Sequence, residues 1–155
     1  MMRGFTLIEL LVTVAIVALL ASVALPMSEL AVQRTREQEL RFALREIRGG
    51  IDAYKKAWDE GRVQKNVGDS GYPKTLESLV EGVTDAKSPA RSKMFFLRRL
   101  PSDPMAADGA ASPARTWGKR AYASPPDDPR EGEDIYDVYS LSTTRGLNGV
   151  PYREW

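Results

Sequence analysis

The chain has 155 residues, enough for one domain or one domain with an appendage. Its 22 basic and 21 acidic side chains leave a formal charge of +1, which gives no general pull toward nucleic acid or an anionic surface. It contains neither histidine nor cysteine, which excludes disulfides, zinc sites with Cys or His ligands, thiol nucleophiles and imidazole-dependent triads.

The first element is an apolar run, FTLIELLVTVAIVALLASVAL at residues 5–25, whose one charge is Glu9. As a helix, 21 residues span roughly 32 Å, about one hydrocarbon core. An ordinary secretory signal peptide is one reading, but its apolar region is typically shorter, about 7–15 residues, and has no use for a glutamate. A plain transmembrane anchor is a second reading. It leaves Glu9 unexplained, because a carboxylate in the bilayer costs at least about 2.5–3.5 kcal/mol.

A third reading accounts for the glutamate. Gly4-Phe5-Thr6-Leu7-Ile8-Glu9, at the extreme N-terminus and followed by the apolar run, resembles the class III leader and processing site of type IV pilins and type II secretion pseudopilins. The resemblance implies cleavage after Gly4 by a membrane peptidase, which then methylates the new amine of Phe5. It also implies an assembly role for Glu9. A buried charge needs a partner, and the freed amine of a neighbouring subunit's first residue lies at a suitable depth to supply one. Glycine before the cut allows close approach of the protease. The resemblance places the N-terminus in the cytoplasm. Local charge does not favour this, since Arg3 precedes the run while Arg34 and Arg36 follow it.

Pro26 follows the apolar run and deprives the Ser22 carbonyl of its helical donor, which favours a kink or local unwinding. A helical stripe then resumes: Leu40, Leu44, Ile47, Ile51, Tyr54 and Trp58 share one face. This predicts one helix from about residue 5 to 60, ending near Gly61, apolar all round in its first half and amphipathic in its second. Glu37 with Arg41 and Asp52 with Lys56 are expected to form i,i+4 pairs. Gly49 and Gly50 are expected to cost about 1 kcal/mol each against alanine.

Nine of the ten prolines and nine of the twelve glycines lie at or beyond Gly61, so short strands and frequent turns are expected there. Residues 61–71 read as a loop. Thr75 is a candidate N-cap for a short helix carrying Leu76, Leu79 and Val80 and ending at Gly82. Residues 85–92 read as a loop, and Met94, Phe95, Phe96, Leu97 and Leu100 as an apolar cluster. Residues 105–116 read as an exposed loop. Strands are expected at residues 119–124 and 135–141. The run 150–155 is expected to pair with the second of these through a turn at residues 145–149. The small antiparallel sheet would bury one face against the helical stripe.

The head resembles that of the G-type major pseudopilins of type II secretion. The matching fragments, in order, are Gly71-Tyr72-Pro73 with the Leu76–Leu79 helix, Arg99-Leu100-Pro101-Ser102-Asp103-Pro104, Trp117-Gly118 with Tyr122, residues 134–142, and Trp155. A loop at about residues 105–116 and extra residues between Gly61 and Gly71 depart from that pattern. Many members of the family bind calcium in the loop after the penultimate strand, using its carboxylates. Here residues 142–149, STTRGLNG, hold an arginine and no Asp or Glu. Calcium takes six to eight oxygens, usually with charged carboxylates among them. The Leu141 carbonyl, Ser142, Asn148 and Glu154 are the remaining donors to consider, and a turn held without metal is the expectation. The acidic runs Asp127-Asp128 and residues 131–134 read as solvated loops.

The expected fold is thus α+β and pilin-like, with a long N-terminal helix, its first half transmembrane, packed on a small C-terminal antiparallel sheet. The expected organisation is a leader at 1–4, a transmembrane half-helix at 5–25, an amphipathic half at 26–60 and a periplasmic head at 61–155. Gly4 and Phe5 are the expected processing and methylation residues, Glu9 the assembly residue and Pro26 the kink. No catalytic set, metal site or cofactor is expected. The resemblance implies a structural subunit of a periplasmic pseudopilus that helps export folded proteins across the outer membrane. Its partners would be further copies of itself, minor pseudopilins, the prepilin peptidase/methyltransferase, an inner-membrane assembly platform and membrane lipid, with no nucleic acid. A type IV pilin, a minor pseudopilin and a signal-anchored periplasmic binding module that never polymerises are the competing readings. Major pilins of the first kind usually carry a C-terminal cysteine pair, which this chain lacks.

Overall fold

The computed structural model describes residues 6–106 and 112–155, without the side chains of Val23, Leu25 and Pro26. The chain divides between Arg36 and Glu37 into two compact units. One helix, α1 (Leu7–Asp59), contributes to both. Its start is capped by Thr6, whose hydroxyl accepts the Glu9 N–H at 3.3 Å. Its end is fixed by Gly61 at φ 71°, a left-handed conformation that glycine adopts without steric cost. There the Gly61 N–H donates to the Trp58 carbonyl and the Arg62 N–H to the Ala57 carbonyl, both at 2.9 Å. These are the two bonds of a Schellman stop, and they end the helix where the sequence places its end. Pro26 lies inside α1, which continues through it.

In the second unit, the expected stripe of α1 carries the core. Leu40, Leu44, Ile47 and Ile51 are buried, as are Ala43 and Ala57, and Tyr54 packs against the cluster. Burying a side chain of this size is worth about 1.5–3 kcal/mol, so a few such residues outweigh the two mid-helix glycines. The short helix α2 (Glu77–Glu81) adds Leu79, and Leu76 precedes it. Thr75 acts as expected at this end: its hydroxyl accepts the Ser78 N–H at 3.3 Å and its carbonyl accepts the Ser78 hydroxyl at 2.7 Å.

Two antiparallel ribbons complete the head among the described residues. In one, β1 (Val83–Thr84) pairs with β2 (Lys93–Met94). In the other, β3 (Trp117–Arg120) pairs with β4 (Asp137–Ser140), with Trp117 opposite Ser140 and Arg120 opposite Asp137. The Phe96 and Leu97 N–H groups both donate to the Leu79 carbonyl, at 3.0 and 2.9 Å, which joins the first ribbon to α2. Trp117, Ile135, Val138 and Tyr152 close the core over α1.

The strands depart from expectation in four places, the first being β4, expected at 135–141 and found at Asp137–Ser140. The predicted strand at 119–124 begins two residues earlier and stops at Arg120, because the Ala121 N–H turns away to the Arg130 carbonyl. The run 150–155 is not a strand. It makes one bridge, Arg145 to Pro151, and then turns into a 3-10 helix, Tyr152–Glu154. Proline has no N–H to extend a ladder, and the Tyr152 side chain is drawn into the core. The partner of β4 is therefore β3. The β1–β2 ribbon was not expected, since two-residue strands carry no readable alternation.

Candidate functional site

In the first unit the apolar residues of α1 are exposed around the helix, with Leu7 at 79%, Leu11 at 59%, Ile16 at 53% and Leu20 at 64%. A contiguous apolar surface of this kind marks a protein or membrane contact. By length and composition α1 suffices to cross a membrane. Its hydroxyl groups bond along the helix itself: Thr13 donates to the Leu10 carbonyl at 2.9 Å and Ser22 to the Leu19 carbonyl at 2.7 Å. That satisfies them where no water is available. Glu9 stands in the first turn, where the helix dipole favours an anion, and it is exposed. Gly4 and Phe5 lie outside the described residues.

In the second unit the structure shows polar clasps that the sequence does not announce. Arg48 on α1 donates through Nε to Asp137 Oδ1 at 2.7 Å and through Nη2 to the Val138 and Trp155 carbonyl oxygens at 3.1 and 2.8 Å. It ties α1, β4 and the chain's last residue together. Asp103 is buried and accepts the Ser140 hydroxyl at 2.6 Å and the Met105 N–H at 2.7 Å, while its own N–H donates to Thr116. This explains why the Ser102-Asp103-Pro104 fragment and β4 belong to one arrangement. Gly118 lies opposite Tyr139, and a Cβ there would stand 2.3 Å from the tyrosine ring. The Asp52–Lys56 pair is not formed, and Lys55 pairs with Asp59 instead.

Arg62, just past α1, donates twice to Asp85 Oδ2, at 3.0 and 2.7 Å. The Arg62 hydrogen bonds, joined by the Lys87 N–H, hold the Asp85 carboxyl below its ordinary range. Bonds from Lys74 and then Asn66 do the same for Asp69. Burial raises the hydroxyls of Tyr54 and Tyr72.

The loop at residues 142–149 is closed by protein groups. The Gly146 N–H donates to the Val150 carbonyl at 2.9 Å, the Gly149 N–H to the Gly146 carbonyl at 2.8 Å, and the Tyr152 N–H to the Thr144 carbonyl at 3.2 Å. Arg145 Nη1 donates to the Gly149 carbonyl at 3.0 Å. Glu37 on α1 is buried, and its Oε1 accepts the Leu147 N–H at 2.7 Å and the Tyr152 hydroxyl at 3.0 Å. Sequence reasoning took Glu37 for a surface pairing residue. Its position one helical turn before Leu40, on the buried stripe, was the available signal. Among the described residues no three acidic side chains gather as a metal site. Of the side chains considered for calcium, Asn148 Oδ1 accepts the Val150 N–H, Ser142 Oγ meets Thr144 Oγ1 at 2.8 Å, and Glu154 lines a groove with Arg41, Arg45 and Arg48.

Residues 1–25 match the family model of the prokaryotic N-terminal methylation motif. The chain is 28% identical over 145 residues to the type II secretion system core protein G of Escherichia coli K12, covering 90% of this chain and 92% of that protein. It is 27% identical over 139 residues to the protein of the same name from Klebsiella pneumoniae, covering 86% and 91% of the two chains. The Dickeya chrysanthemi protein of that name is 26% identical over 152 residues, covering 95% and 92%. No solved structure matches significantly. The methylation motif, a long apolar N-terminal helix and core protein G relatives that span most of the chain together support a G-type pseudopilin of the type IV pilin-like superfamily.

Proposed function

We propose that the chain is a structural subunit of a type II secretion pseudopilus, a periplasmic filament that helps to export folded proteins across the outer membrane. The methylation motif at residues 1–25, joined to relatives named core protein G along most of the chain, carries this reading. The peptidase/methyltransferase cuts after Gly4 and methylates the amine of Phe5, so the chain is a substrate and not an enzyme. The mature subunit waits in the inner membrane with residues 5–25 in lipid and its head in the periplasm. The assembly platform then extracts it into a filament with other copies and with minor pseudopilins, and Pro26 supplies a point of bending. Glu9 pairs with the amine of a neighbouring subunit's Phe5, which offsets the cost of a carboxylate in an apolar setting and sets the register between subunits.

The test is Glu9→Leu. It should remain in the membrane fraction and be processed, yet form no filaments; normal filaments would sink the assembly role. Mass spectrometry of the mature chain should find methylated Phe5 as its first residue, and a Gly4→Val chain that is still cut would count against the proposed site.

A further inference from the structure

The loop at residues 142–149 combines two features that bear on its polarity. A cation site needs oxygens that converge. Here the Leu147 N–H points at a carboxylate, Glu37 Oε1, at 2.7 Å, and the Tyr152 hydroxyl donates to the same oxygen at 3.0 Å. The loop therefore turns hydrogen-bond donors toward an anion supplied by α1. Four carbonyl oxygens of the loop region are already engaged. Those of Thr144, Gly146 and Val150 accept backbone N–H groups, and that of Gly149 accepts the Arg145 guanidinium. The space beside Gly146 is filled as well, since a Cβ there would lie 2.5 Å from the Trp155 ring and 3.3 Å from Glu37 Oε1.

We propose that this loop is held by an internal pair of charges in place of a divalent cation: Glu37 on its N–H side and Arg145 on its carbonyl side. Glu37 is the main clasp, because it is buried and takes two donors, one from the loop backbone and one from the 3-10 helix. Arg145 is exposed, and its single bond to Gly149 trims the turn. Folding of the loop is thereby coupled to α1 and not to the calcium level of the compartment. The pseudopilin reading enters only as the reason to expect calcium at this loop. The loop's own order is what the test reads, so failure of filament assembly and failure of this proposal are separable.

The experiment measures amide hydrogen exchange and thermal melting on the full mature chain in detergent, with calcium and with EGTA. Wild type should give the same Leu147 protection and the same melting temperature in both. Glu37→Ala should speed Leu147 exchange by about tenfold or more, the scale of a lost charge-assisted bond, and calcium should not restore it. Glu37→Gln keeps an oxygen acceptor and should fall between the two. Arg145→Ala should speed exchange at Gly146 and Gly149 a few-fold, also without rescue by calcium. A wild-type melting temperature that climbs by several degrees with calcium would overturn the proposal, as would unchanged Leu147 exchange in Glu37→Ala. The wild-type comparison stands by itself if Glu37→Ala does not fold.

Discussion

At the scale of single residues, the adjacent glycines of α1 show what a sequence hides. Both are equivalent mid-helix costs when read by propensity. In the fold Gly49 faces solvent, with nothing within 4 Å of an added Cβ, whereas Gly50 is buried and an added Cβ would lie 2.9 Å from Leu97 Cγ. Gly49→Ala should therefore raise stability by about 0.5–1 kcal/mol, the helix-propensity difference. Gly50→Ala gains the same propensity but overpacks a core contact, which typically costs about 1–3 kcal/mol. Denaturant unfolding of the two variants should move the midpoint in opposite directions, and a shift of the same sign in both would refute the packing role of Gly50. Glu37 teaches the same lesson. A glutamate four residues before an arginine suggests a surface pair, and only the return of Leu147 and Tyr152 to α1 gives it a buried role.

At the scale of elements, legibility followed length. The helix was readable over its whole span because its periodicity is long and its stop is a glycine in a Schellman turn. The strands were found but misplaced by a few residues, since four-residue strands are bounded by where backbone partners leave and not by composition. The β1–β2 ribbon was missed, and its connection is held by Arg62 and Asp85. The Ala86 N–H donates to the Arg62 carbonyl at 2.7 Å, and the Asp85 N–H to the Ser92 carbonyl at 2.9 Å. This clasp has a pH signature. The Asp85 carboxyl is held below its ordinary value by Arg62 and the Lys87 N–H, so folding favours its ionised form. The resulting stability is complete above the unfolded aspartate value of about 3.9 and is lost as pH falls through the lower folded value. Asp69, held down by Lys74 and Asn66, adds to the same limb. Thermal melting should be flat from neutral pH to about pH 5 and decline below about pH 4. Asp85→Asn should be less stable at neutral pH and show a shallower acid decline. An acid decline as steep as that of wild type would remove Asp85 from the account.

At the scale of the whole molecule, the two units differ in what they leave uncovered. The unit that begins at Glu37 buries its own apolar stripe under Leu76, Leu79, Leu97, Trp117 and Val138. The unit before it exposes Leu, Ile and Val side chains around the helix. The unit that begins at Glu37 therefore carries what is needed to fold in water, and the unit before it needs lipid or like helices. A fragment beginning at Thr35 should test this division, because Thr35 and Gln38 have the spacing of a capping box for the shortened helix. It should be soluble without detergent, helical by circular dichroism and cooperative in its melting. A fragment that begins at Gln38 loses the carboxylate of Glu37 and leaves the Tyr152 hydroxyl and the Leu147 N–H without that acceptor. Losing a buried acceptor of this kind costs about 1–3 kcal/mol, which for a head of about 120 residues corresponds to a melting shift of about 4 °C per kcal/mol. The Gln38 fragment should thus melt well below the Thr35 fragment while keeping the rest of its helix. Equal melting would mean that Glu37 adds nothing to the head. A Thr35 fragment that stays unfolded would mean that the head cannot fold without the residues before it.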